Sequence, residues 1–231
     1  MIIYKPNFAI IANNNLTNLQ RKLFNQLIFE FSKIKFTSNI INLSRQELGD
    51  FIPSNFSHAQ IKKIFLGLMK NEMFSLENNL NEDYEFSCYI SAVKATRNNY
   101  QIEMSSQLIN FLNINYKNSA GKKNIEHGYT ELDLNKLNVL QGIHSLPMYE
   151  LIKSKTFKFK NFNLSFKFIY DFLAKDKKSY AEFKHFNNML LKPAIAEIND
   201  VTDLKIIYEP IKKGGRVNII NFSVQTPQKS L

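Results

Sequence analysis

The chain has 231 residues, 44% of them hydrophobic and 20 of them phenylalanine, with a formal net charge of +10. That composition excludes a disordered chain, and the length allows one large domain or two of about 110 residues. A single cysteine, Cys88, excludes an internal disulfide or a multi-cysteine zinc site, and no apolar run approaches the roughly 18 residues of a membrane span.

The N-terminal stretch MIIYKPNFAIIANNN has short apolar runs, but no basic flank followed by a long apolar segment and a small-residue cleavage site. No secretion signal is expected, and a reducing cytoplasmic location fits the lone Cys88. From Thr17 to Ile34 the residues Leu19, Leu23, Leu27, Phe31 and Ile34 recur at helical spacing, with Thr17 or Asn18 placed to cap the start. Ile40 to Leu43 predicts a short strand, and Ser44 with Glu47 predicts a capping box on a helix through Asp50 that Pro53 ends. Ser57 opens the next helix, whose apolar face is Ile61, Ile64, Leu68 and Phe65. Phe86 to Ala95 and Tyr100 to Met104 alternate and read as a hairpin around Arg97, Asn98 and Asn99. A helix from Ser105 to Leu112 then leads into Asn113 to Gly128, a polar stretch containing Gly121, Lys122 and Lys123 that reads as a linker.

The second half follows the same order. Asp133 caps a helix to Leu140, Ile143 to Lys153 forms another, Lys158 to Leu164 reads as a strand, and Ser165 caps a helix to Ala174. Ser179 is expected to open a longer helix with Phe183, Phe186, Leu190, Ala194 and Ile198 on one face, kinked or divided by Pro193. Leu204 to Ile211 and Arg216 to Val224 are strands around Lys212, Lys213, Gly214 and Gly215, where the glycines supply the positive φ of a tight turn.

The two halves repeat at an offset of 121 residues: Leu16, Leu19 and Gln20 return as Leu137, Leu140 and Gln141, and Asn42, Leu43 and Ser44 as Asn163, Leu164 and Ser165. After one slipped residue Ala59, Lys62, Leu68 and Lys70 face Ala181, Lys184, Leu190 and Lys192. Helix, helix, helix, hairpin is the order of a winged helix-turn-helix. The expected fold is therefore α+β, two tandem winged helix-turn-helix domains over residues 1–120 and 121–231. The first half carries 12 basic against 9 acidic side chains and the second 18 against 11, so the second should dominate contact with a polyanion.

A winged helix lays the second helix of its helix-turn-helix in the DNA major groove and sets the wing's basic tip on phosphates. Opposite Phe186 and Leu190 the helical wheel shows Ala181, Lys184, His185, Asn188 and Lys192 with Asn187 at the edge, and Ser179 begins the helix. Asn pairs with adenine and Lys donates to guanine or phosphate, while Lys212, Lys213 and Arg216 supply charge at the wing. A solvated helix face and an ordinary charged turn have the same composition. In the first half Phe65 and Leu66 stand where Asn187 and Asn188 stand in the second. Either that helix packs against a partner chain or sister domain, or the two residues are core residues of a rotated helix. Lys62, Lys63, Lys70 and Arg97 are then accessory phosphate contacts.

Signals of enzyme chemistry are weak in the sequence. No Gly-Lys-Ser or Gly-Lys-Thr phosphate loop occurs, and His58, His127, His144 and His185 are isolated, with no spacing for a metal. Asp171, Asp200 and Asp203 read as capping and turn residues, and Glu126 and His127 lie in the linker. No catalytic residue, cofactor or metal is expected.

The stretch YTELDLNKLNVLQGIHSLPMYELIKS from Tyr129, with SYAEFKHFNNMLLKPAIAEINDVTDLKIIYEPIKKGGRVNIINFSV from Ser179, resembles the iteron-binding plasmid replication initiators of the Rep_3 type. The segment NLTNLQRKLFNQLI fits their N-terminal helix. The resemblance implies binding as a monomer to direct repeats at a plasmid origin, origin opening with the host initiator ATPase, and recruitment of the replicative helicase. It also implies a homodimer, joined through the first domain, that binds an inverted repeat and represses its own gene. A winged-helix transcriptional regulator with no replication role is the competing expectation. Members of the family often carry arginines where this chain has Asn187 and Asn188, and the Asn chemistry points to adenine-rich repeats.

Overall fold

The computed structural model describes residues 1–11, 16–49, 52, 55–70, 72–78, 83–121, 128–156, 160–174 and 178–225. The chain begins with a strand, β1 (Ile2–Pro6), and a short helix, α1 (Asn7–Ile11), neither of which its sequence had announced. Helix α2 (Asn18–Lys33) starts at Thr17, whose Oγ accepts the Gln20 N–H at 3.3 Å while Gln20 Oε1 accepts the Thr17 N–H at 2.9 Å. Its buried side holds Leu23, Phe24, Leu27 and Phe31.

Strand β2 (Ile40–Ser44) runs directly into α3 (Arg45–Gly49). The expected capping box is present: the Ser44 N–H donates to Glu47 Oε2 at 2.6 Å and the Glu47 N–H to Ser44 Oγ at 3.1 Å. Those bonds hold the Glu47 carboxyl below the usual carboxylate range, the Ser44 backbone N–H having the larger effect. Asp50 and Pro53 lie outside the described residues. Helix α4 (His58–Lys70), capped by Ser57, buries Ile61, Ile64, Phe65 and Leu68.

The predicted segment Phe86–Ala95 is two strands. One hairpin pairs β3 (Glu72–Asn78) with β4 (Asp83–Cys88), and a second pairs β5 (Ile90–Ala95) with β6 (Asn99–Met104). The chain changes partner at Tyr89, which is buried edge-on to Phe24 with ring centroids 4.6 Å apart. Strand β2 joins β6, giving a sheet in the order β2-β6-β5. Helix α5 (Ser106–Gly121) then outruns its predicted end at Leu112. No proline or glycine interrupts the sequence before Gly121, and an interior Asn costs a helix under about 1 kcal/mol. Residues 122–127, with Glu126 and His127, lie outside the described residues.

Strand β7 (Tyr129–Asp133) pairs antiparallel with β1, from Ile2 opposite Asp133 to Pro6 opposite Tyr129. The Thr130 hydroxyl donates to Asn7 Oδ1 at 2.6 Å, and the Asn7 N–H donates to the carbonyl of Gly128, which has φ 61°. This pairing binds residues 129–133 to the N-terminal unit. The compact units are therefore Met1–Asn138 and Val139–Leu231, where the sequence placed the boundary at 120/121.

Beyond α6 (Leu134–Val139), the second unit contains α7 (Ser145–Thr156), β8 (Asn161–Ser165) and α8 (Phe166–Ala174). Ser165 Oγ accepts the Phe168 N–H at 3.1 Å, so it caps α8 as predicted. A 3₁₀ turn (Lys178–Tyr180), α9 (Phe183–Phe186), a π-helical turn (Asn187–Leu191) and α10 (Lys192–Val201) follow. Strands β9 (Lys205–Lys213) and β10 (Arg216–Gln225) close the unit, in a sheet ordered β8-β10-β9. In both units the strand before the helix pair lies beside the last strand of the hairpin. The fold is two winged helices, and the class is α+β.

Lys213 pairs with Arg216, which leaves Gly214 and Gly215 as a two-residue loop at φ 60° and 78°. No atom approaches within 4 Å of a Cβ added at either, so a substitution there meets backbone strain and no clash. Replacing both with valine is expected to cost about 1–2 kcal/mol per residue in urea unfolding. Unchanged stability would contradict the left-handed turn.

Candidate nucleic-acid interface

The helix-turn-helix of the second unit is locked by aromatic rings. Phe166 on α8 meets Phe183 at 5.5 Å and Phe186 at 5.3 Å between centroids, both edge to face. Ser179 does not open the long helix as expected. It sits exposed in the 3₁₀ turn, where Ala181 N–H already bonds Lys178 O, and extended backbone at Glu182 separates that turn from α9.

The run is divided ahead of Pro193, as expected, into α9, the π-helical turn and α10, with Pro193 in the first turn of α10. The missing N–H and the ring of Pro193 forbid an α-helical bond to residue 189. The preceding turn widens instead: Lys192 N–H reaches back to Asn187 O, one residue further than in an α-helix. The extra residue offsets the drift of about 40° that an α-helix accumulates over each four-residue step. Phe186, Leu190, Leu191, Ala194 and Ile198 are consequently all buried, at about 1.5–3 kcal/mol for each large side chain, ample compensation for one looser turn.

The opposite side is exposed. Lys184, Asn188 and Lys192 lie there at four-residue spacing, with His185 beside them and its Nε2 3.9 Å from Glu182 Oε2. Lys212, Lys213 and Arg216 are exposed around the glycine turn of the wing. None of these five cations belongs to an ion pair among the described residues.

Asn187 differs from the other predicted readers. It is half-buried, and its Oδ1 accepts the Tyr208 hydroxyl at 2.5 Å, so helix and wing strand β9 are joined there. Burial raises the Tyr208 phenol above 10.0, outweighing the opposing Asn187 bond. A raised phenol pKa favours the fold fully below pH 10 and less as pH climbs through the folded value. Tyr208→Phe is expected to cost about 0.5–1.5 kcal/mol near neutral pH and to remove one raised tyrosine step from an absorbance titration. A second tie is Asn199 on α10, which accepts the Ile206 N–H at 2.7 Å and donates to the Ile206 carbonyl at 2.9 Å. Glu197 Oε1 accepts the Gln141 N–H at 2.6 Å and its Oε2 the Gly142 N–H at 2.9 Å, fastening α10 to the start of α7. Sequence reasoning assigned no role to Tyr208, Glu197 or Asn199.

In the first unit Lys62, Lys63 and Lys70 are exposed on α4, and Arg97 is exposed in the β5–β6 turn. Phe65 is 4% exposed, with its ring 5.8 Å from that of Tyr100. It is a core residue, and Leu66 beside it is half-buried. The core alternative holds for Phe65.

No helix among the described residues is long and apolar enough to cross a membrane. A family model described as initiator replication protein, WH1, matches residues 2–153, and one described as initiator Rep protein, WH2, matches residues 165–224. The crystal structure of domains 2 and 3 of RctB resembles the chain with a TM-score of 0.52 and 11% identity, covering 90% of this chain and 80% of that one. At that identity the likeness is one of fold. No curated protein matches the chain.

Proposed function

The chain belongs to the initiator replication protein family, with both of its winged-helix domains, and on that premise we propose that it starts plasmid replication by binding direct repeats at an origin. The observation that carries this reading is the exposed row Lys184, Asn188 and Lys192 on the reader helix of a winged helix whose wing tip bears Lys212, Lys213 and Arg216. Lys184 and Asn188 read base edges, the wing holds phosphates, and Lys62, Lys63, Lys70 and Arg97 of the first unit add phosphate contacts. The bound protein opens the origin and recruits the host initiator ATPase and the replicative helicase by binding and deforming DNA in the cytoplasm, with no covalent chemistry. A homodimer formed through the first unit represses its own gene.

Footprinting on the DNA flanking its gene tests this: protection of several short direct repeats beside an adenine-thymine-rich segment is expected. Protection of one inverted repeat, with no replication dependent on the protein, would favour a regulator. Replacing Lys184 or Asn188 with alanine is expected to relax base preference by about 1–3 kcal/mol at the contacted positions, measured by competition between site variants. Lys212→Ala is expected to weaken every site alike and to reduce the salt slope by about one. Identical effects from the two classes would undo the division between reader helix and wing.

A further inference from the structure

Met189 is 62% exposed, more than the other large apolar side chains among the described residues of the second unit apart from Ile143. It lies between Asn188 and Lys192 on the outer side of the π turn, while Leu190 and Leu191, the next two residues, are both fully buried. An exposed thioether serves no packing purpose. Within the π turn Asn188 and Met189 are the consecutive exposed pair, and Leu190 and Leu191 the consecutive buried one.

We propose that Met189 is a base-reading residue that contacts the 5-methyl group of thymine in the major groove, next to the base contacted by Asn188. The inference rests on the DNA-reading role proposed for this helix. In the major groove an adenine-thymine pair offers an amide-matching edge on adenine and a methyl group on thymine, and the thymine methyl is the apolar mark a side chain can detect there. A flexible, polarizable thioether conforms to a methyl without demanding one rotamer. Asn188 and Met189 together then select adenine-thymine steps, one by hydrogen bonds and the other by apolar contact. Neither side chain carries charge, so this preference is independent of the salt-sensitive contacts made by Lys184 and Lys192.

The test begins with duplexes enriched by the full-length protein from a random pool, resynthesised with deoxyuridine in place of thymidine, which removes only the methyl groups. The wild-type chain is expected to bind the uracil duplex about fourfold more weakly for each contacted methyl, the change that about 0.8 kcal/mol of apolar burial produces. Met189→Ala is expected to bind thymine and uracil duplexes equally, and Lys184→Ala to keep the thymine preference. Thermal melting of Met189→Ala should match the wild type, since the side chain is on the surface. Equal binding of both duplexes by the wild type, or an undiminished thymine preference in Met189→Ala, would overturn the role of Met189 while leaving the helix as reader. A pool yielding no enriched duplex would overturn the reader helix itself, and this inference with it.

Discussion

Raising salt from about 50 to 200 mM is expected to weaken DNA binding by about 10³- to 10⁵-fold, the loss that corresponds to neutralising about six to ten phosphates. The cations available are specific. Lys184, Lys192, Lys212, Lys213 and Arg216 in the second unit, with Lys62, Lys63, Lys70 and Arg97 in the first, are all exposed. None belongs to an ion pair among the described residues, so binding costs no internal pair. Each released counterion contributes about 0.9 to the slope of log affinity against log salt. Replacing Lys62, Lys63 and Lys70 together with alanine should therefore lower the slope by about 2.7 and leave the choice of site unchanged. Fluorescence anisotropy across the salt range reads both numbers. A flat response would reject the basic-face reading for the whole chain, and an altered site preference in the triple variant would place base reading in the first unit as well.

What local chemistry specifies was legible in the sequence. Thr17, Ser44 and Ser165 form the caps that their residue types announce, and the paired glycines of the wing turn take the positive φ that a two-residue hairpin asks of them. The winged-helix order in both units was legible for the same reason, because each element carries its own periodicity and punctuation. Pairings distant in sequence were not. Nothing within Ile2–Pro6 indicates that Tyr129–Asp133 will complete its hydrogen bonds, and a proline in the strand argues against pairing until its partner is known. That ladder holds Tyr129–Asp133 within the compact unit Met1–Asn138.

The reader helix shows how a site can be half legible. Pro193 announced a disturbance, and the apolar residues announced a buried face, but only the backbone bond from Lys192 to Asn187 reveals that the disturbance is an inserted residue. Asn187 looked like a base reader by residue type alone. Its repeat partner Phe65 was the warning, because an apolar residue at the equivalent position marks the side of the helix turned toward the wing. The structure bears this out in each unit separately: Phe65 lies against Tyr100 of β6, and Asn187 bonds to Tyr208 of β9. An amide at that position ties wing to helix, and Asn188, its neighbour, is the one left facing outward.

Glu197→Ala is expected to lower the melting temperature of the second unit by about 10 °C, through a loss of about 2–3 kcal/mol. The carboxylate accepts N–H groups from two consecutive residues, Gln141 and Gly142, just ahead of α7, where the N-terminal end of a helix also favours negative charge. A charged acceptor makes each bond worth about 1.5–3 kcal/mol, but Gln141 is exposed and its N–H recovers water when the carboxylate is removed. Gly142 is more enclosed, and a Cβ there would stand 2.4 Å from Ser145 Oγ and 2.5 Å from Glu197 Oε2. The approach of the carboxylate thus depends on a residue without a side chain, so Gly142→Ala should destabilise in the same direction. Glu197→Gln keeps one acceptor oxygen and turns its amide toward the second N–H, which places it between wild type and alanine. Below the melting transition all three variants should retain the wild-type choice of DNA site, since Glu197 is not on the exposed row. Differential scanning calorimetry paired with site competition separates these outcomes. An unchanged melting temperature in Glu197→Ala would show that the carboxylate does not secure α10 to α7, whereas a changed site preference in a fully folded variant would make Glu197 part of the reading surface.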